Sequence, residues 1–217
     1  MLNCIIMTLA GFLSGAVMYA YLLPKLLRGV DVREHGEDGN PGSMGAIAAV
    51  GLPFGLFCLA LEVLKAAVPV FIAAQVLDVS GWYLLPVVLA PVLGHAYTPF
   101  LKFRGGKAIA AAYGALLGMV GISWMLLFFI GALLFFQFLI VLHPHSAVTI
   151  IGFAAAALLS LLFEPVWALK LAALGIAALV CGKNLRNPNR GAHYVSVGAL
   201  RFTWEERRIV LKNTRKA

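Results

Sequence analysis

The chain has 217 residues, 62 % of them hydrophobic and 12 % charged, with a formal net charge of +8; mean hydropathy is +0.93. So little charge on so apolar a chain excludes an ordinary water-soluble domain and points to one compact multi-helix membrane unit. The bases lie between apolar runs and form no stripe with interleaved aromatics, so membrane orientation accounts for them and nucleic acid is not an expected partner.

In chain order, the apolar runs predict about seven transmembrane helices in an all-α integral membrane fold. The first covers about 3–23, with its bases Lys25 and Arg28 after it, which is the reverse of a signal peptide. A polar loop, 28–42, leads to a long second span, about 46–76, that holds Glu62 and Lys65. The third, about 82–100, ends in a second polar loop, 101–107. The fourth, about 108–120, is rich in small residues such as Ala110, Ala112, Gly114 and Gly118, which suit close helix packing. The fifth, about 123–142, stops at His143-Pro144-His145; the sixth, about 146–163, stops at Glu164-Pro165; the seventh runs over about 166–183. Residues 1–184 then make the membrane domain and 185–217 a basic tail, in which Thr203 and Glu206 suggest a cap for a short amphipathic helix over 204–212.

Counting bases orients the set. With the N-terminus outside, one face receives Lys25, Arg28, Arg33, Lys102, Arg104, Lys107 and every base from Lys183 onward. The other face holds Asp78 and Glu164 and no base, and only Lys65 and Lys170 fall outside the rule. That asymmetry predicts a cytoplasmic C-terminus and puts both polar loops on the cytoplasmic face.

Those loops carry the candidate chemistry. Gly105-Gly106-Lys107 is not a P-loop, because Leu101 and Ala108 stand where that motif needs Gly and Ser/Thr. It reads either as a nest of two glycine N–H groups and one ammonium for a phosphate, or as a basic anchor with a flexible turn. His95 reads as an interfacial residue or a functional one. Asn40, between Gly39 and Gly42, reads as a turn or as a contact to a substrate oxygen. Glu62 and Lys65 share a helix face, either as a neutralising pair or with Lys65 in a polar cavity. Cys4, Cys58 and Cys181 are widely spaced and read as free thiols, and no metal site or cofactor is expected.

The segment GHAYTPFLKFRGGKAIAAA, within 94–112, resembles the second motif of the bacterial acyl-phosphate:glycerol-3-phosphate acyltransferases, the PlsY type. Gly94, His95, Pro99, Phe100, Phe103, Gly105, Gly106 and Lys107 match it. Glu62 and Lys65 echo the family's Asp-x-x-Lys, and Gly39, Asn40 and Gly42 echo its first motif. The chain departs from the pattern at Asp38, where the family has Ser, at Met44, Gly45 and Ala48, at Ala108 and Ala111, where it has Gly and Thr, and at Cys181, where it has His ahead of Asn184. The resemblance covers roughly 10–185 and implies a seven-helix enzyme of a bacterial plasma (inner) membrane. That enzyme would move an acyl group from acyl phosphate to glycerol 3-phosphate, giving lysophosphatidate for phospholipid synthesis. By resemblance Lys107, Gly105 and Gly106 hold a phosphate and His95 orders their loop. Asn40 and Asn184 contact substrates, with Gly39, Gly42, Arg104 and Lys65 around them. The departures leave a second possibility, a non-catalytic lipid- or phosphate-binding membrane protein of the same fold.

Overall fold

The computed structural model describes residues 1–36, 38–186, 194–197, 200–205 and 208–213. Nine α-helices are described: α1 Leu2–Ala16, α2 Tyr19–Arg28, α3 Ser43–Val50, α4 Leu52–Phe71, α5 Leu84–Ala96, α6 Ile109–Leu117, α7 Met125–Leu134, α8 His145–Phe163 and α9 Trp167–Arg186. Each expected apolar run is helical, but with different ends. Among the described residues four helical stretches are long and apolar enough to cross a membrane: Leu52–Val76, Gly81–Leu101, His145–Phe163 and Trp167–Arg186. The bent pair α1 and α2, 44° apart, makes a fifth if counted as one span. The runs expected to be the fourth and fifth spans form the 9-residue α6 and the shorter apolar stretch Met125–Leu139.

Small residues set the helix crossings. On α1, a Cβ at Gly15 would lie 2.1 Å from the Pro91 carbonyl oxygen; on α5, one at Gly94 would lie 2.1 Å from that of Phe12. The two helices therefore meet backbone to backbone. Gly94 thus serves packing, and its neighbour His95 is set at a fixed height against α1. The same device joins α6 to α4, where a Cβ at Gly114 would lie 2.2 Å from the Val63 carbonyl oxygen and one at Gly118, just past the end of α6, would lie 2.7 Å from that of Ala67. Large apolar side chains of α4, among them Phe57, Leu64, Val68 and Phe71, stay exposed, as a lipid-facing surface requires.

A four-stranded antiparallel sheet stands beside the helices, in the order β1 Val141–His143, β2 Tyr194–Val197, β3 Leu200–Glu205, β4 Arg208–Asn213. It replaces the helix expected over 204–212. The reason is periodicity: Leu200-Arg201-Phe202-Thr203-Trp204-Glu205 alternates apolar and polar residues with period two, a strand pattern. Glu206, half of the expected cap, lies outside the described residues.

Candidate functional site

The site is built on the break between α1 and α2. A helix that breaks at membrane depth frees carbonyls at one end and N–H groups at the other, and each needs a partner inside the protein. Here α4 and the turn that follows α5 supply them. Thr98 Oγ1 donates to the Ala16 carbonyl at 2.7 Å, and Lys65 Nζ donates to the Val17 carbonyl. At the start of α2, the Ala20 N–H donates to Glu62 Oε1 at 2.9 Å.

Glu62 is the hub. Its Oε2 lies 2.6 Å from Lys65 Nζ and 3.0 Å from His95 Nδ1. Glu62 and Lys65, three residues apart on α4, both have side chains only 1 % exposed. A buried charge pair of this kind survives because its remaining hydrogen-bonding positions are filled, by Ala20, His95 and Val17. Lys65 therefore sits in the helix break, engaged by Glu62 and Val17, and shares the Glu62 carboxylate with His95.

His95 passes the constraint outward to residues 105–107. The Gly106 N–H donates to the His95 carbonyl at 3.2 Å. A Cβ at Gly105 would lie 2.0 Å from that same carbonyl oxygen, and one at Gly106 would lie 2.3 Å from His95 Nε2. Both glycines are needed for this close approach. The finding corrects the nest of two glycine N–H groups, since the Gly106 N–H is already used. Lys102, Phe103 and Ala108 take positive φ of 52°, 61° and 63°, so the loop turns sharply before α6. Arg104 is exposed on this loop, whereas Lys107 is buried.

The first polar loop meets the second at Lys107. Asp38 Oδ2 lies 2.6 Å from Lys107 Nζ, and Asp38 Oδ1 accepts from the Asn40 N–H at 3.1 Å. Asn40 is part-buried; its carbonyl accepts from the Gly42 N–H at 2.8 Å, and its amide lies over Gly42. Gly39 turns the chain with a φ of +65°. Lys107, Gly39, Asn40 and Gly42 are thus brought into one neighbourhood, with Asp38 as the link that the sequence did not reveal. Asn184 is buried in the last turn of α9 and donates to the Val180 carbonyl at 2.9 Å. Its neighbour Lys183 reaches across to the Ala96 carbonyl at 2.8 Å and lies 5.1 Å from the Tyr97 ring centroid. That lysine ties the end of α9 to the end of α5, and a base beside Asn184 was its available signal.

A glycerol-3-phosphate acyltransferase family model matches residues 5–193. The chain belongs to the glycerol-3-phosphate acyltransferase family. Glycerol-3-phosphate acyltransferase 1 of Thermotoga maritima is 42 % identical over 117 residues, covering 53 % of this chain and 56 % of that protein. The Myxococcus xanthus glycerol-3-phosphate acyltransferase is 40 % identical over 114 residues, covering 52 % and 59 %. The chain thus spans under two thirds of these relatives' length. The crystal structure of PlsY (YgiH), an integral membrane glycerol 3-phosphate acyltransferase, in its glycerol 3-phosphate form superposes with a TM-score of 0.74 at 28 % identity, covering 86 % of this chain and 90 % of that one. Its lysophosphatidic acid form gives 0.72 at 27 % identity. This acyltransferase-family fold is the one expected from the 94–112 segment.

Proposed function

We propose that this chain is a membrane acyltransferase that moves an acyl group from an acyl phosphate to glycerol 3-phosphate, or to a related phosphorylated acceptor, giving lysophosphatidate. One observation carries the reading: Lys107 is held on a loop locked to His95, at the meeting point of two glycine-rich segments. The chemistry needs placement more than special groups, because an acyl phosphate is already an activated donor. The acceptor hydroxyl oxygen bonds to the acyl carbon, the bond from that carbon to the phosphate oxygen breaks, and the hydroxyl proton leaves with the released phosphate. In this scheme Lys107 and Arg104 supply positive charge to a phosphate, while Gly105 and Gly106 let their loop approach His95. Gly39, Asn40 and Gly42 form the facing wall, and Asn184 stands in the last turn of α9, next to the Lys183 that ties α9 to the end of α5.

The membrane setting belongs to the same proposal: seven passes in a bacterial plasma membrane, N-terminus outside, C-terminus cytoplasmic, with 185–217 as an appendage to 1–184. The distribution of bases supports it. So does the pairing of β1 with β2, since it needs the 141–143 connection and the tail on one side.

A second reading is a non-catalytic phosphate- or lipid-binding protein, and the Asp38 carboxylate on Lys107 favours it. The test is purified protein in lipid with palmitoyl phosphate and labelled glycerol 3-phosphate. Labelled lysophosphatidate that disappears in Lys107→Ala is the expected result. No product from folded protein would reject the enzyme reading and favour the second.

A further inference from the structure

We propose that Asp38 is a built-in stand-in for the substrate phosphate, a carboxylate that holds Lys107 until a phosphate dianion displaces it and so makes the site selective for phosphomonoesters. The proposal rests on the reading of Lys107 as the phosphate-binding base.

Three observations carry it. First, the Asp38–Lys107 contact is short, 2.6 Å, and largely shielded from water, with side chains 13 % and 8 % exposed. An anion that is to meet the Lys107 ammonium at this face competes with that carboxylate. Second, the two partners are fixed unequally. Lys107 follows directly on two glycines pressed against His95, itself held by buried Glu62. Asp38 stands next to the exposed Gly39, whose φ is +65°, and among the described residues its second oxygen holds only the local Asn40 N–H. Asp38 is therefore the partner that yields. Third, the exchange depends on ligand charge. A phosphomonoester near neutral pH carries nearly two negative charges and three acceptor oxygens, against one charge and two oxygens on Asp38. A dianion gains over the carboxylate it replaces; a monoanion or a neutral hydroxyl compound does not. Exposed Arg104, on the same loop as Lys107, adds attraction for the incoming anion.

Displacement also changes the loop. With Asp38 released, the only ion pair between the two glycine-rich segments is broken among the described residues. Substrate binding then exchanges a contact between segments for a contact through the ligand.

The experiment is calorimetric titration of glycerol 3-phosphate and inorganic phosphate into protein in zwitterionic lipid nanodiscs. Wild type is compared with Asp38→Asn, Asp38→Glu and Lys107→Ala. The Asp38→Asn variant keeps an oxygen for the Asn40 N–H while removing the charge; Asp38→Ser repeats the test if that first neutral variant folds poorly. Removing the competing charge should tighten both ligands by about tenfold, the scale of one partly shielded ion pair, while Asp38→Glu stays near wild type. Unchanged or weaker binding in the neutral variants, with binding still lost in Lys107→Ala, would overturn the proposal and leave the phosphate site standing. Wild-type binding in Lys107→Ala would instead remove the phosphate site itself, and this proposal with it.

Discussion

The 97–108 loop is secured to the helix bundle through backbone contacts and a buried carboxylate, whereas among the described residues the 29–42 loop, beyond its buried Val32 and the contact of Arg33 with Tyr21, meets that loop through its own turns and the Asp38–Lys107 ion pair. The sequence follows this division. Where a side chain would collide with His95, the family's Gly-Gly-Lys is kept. Where Asp38 borders an exposed glycine, the family's Ser is gone. Packing therefore holds one half of the site to its motif, and the other half is free to change its chemistry.

The comparison is tested hardest at Glu62, on which the 97–108 loop depends. Glu62→Gln leaves the Lys65 ammonium buried without its counter-charge, so it should cost about 3–5 kcal/mol of stability. Thermal unfolding in detergent would show it. Removing both charges, with Glu62→Gln and Lys65→Met together, should recover part of the loss. If the single variant unfolds like wild type, the 97–108 loop does not hang on this pair.

The glycines give the next largest difference. In Gly105→Ala the new methyl meets the His95 carbonyl oxygen at 2.0 Å, a backbone atom with little room to move. The expected cost is about 2–3 kcal/mol together with loss of acyl transfer. In Gly42→Ala it meets the Asn40 side-chain amide at 2.5 Å, the end of a part-buried side chain that can turn away. That variant should lose less than about 1 kcal/mol. Equal losses in the two would erase the proposed contrast between the loops.

The sequence carried the parts of this arrangement that depend on local pattern. Apolar runs located the helices, and the segment from His95 to Lys107 marked the loop that is locked to His95 in the fold. The pairing of Glu62 with Lys65 also follows from their separation on one helix. What the sequence did not carry was contact between distant segments. Nothing near Asp38 announces Lys107, and nothing near Glu62 announces His95. The break at Val17 and Met18 was equally hidden, because it is made tolerable by Lys65 and Glu62 on α4 and by Thr98 in the turn after α5. Ala108 shows the limit from another side: the family has Gly there, and the left-handed φ of 63° gives the reason.

The smallest expected effect lies at the outer edge of the 29–42 loop. Asp31 accepts from Arg33 Nε at 2.9 Å and from its backbone N–H at 3.1 Å, and Arg33 lies over the Tyr21 ring, 4.8 Å from its centroid. The Arg33 guanidinium bonded to Asp31 holds that carboxyl down at about 2. An unfolded aspartate titrates near ~3.9, so the contribution is fully present above that pH and is lost as pH falls from ~4 through ~2. Because the pair faces solvent, it should contribute only about 0.5 kcal/mol and weaken in salt. Unfolding temperatures of wild type and Asp31→Asn, followed from pH 6 down to 2.5, isolate this group from the other carboxylates. A small gap that closes toward low pH fits a loop held by weak surface contacts. A gap as large as that of Gly105→Ala would mean that this loop is as firmly anchored as its neighbour, and that the loss of the family's residues there needs a cause other than freedom from packing.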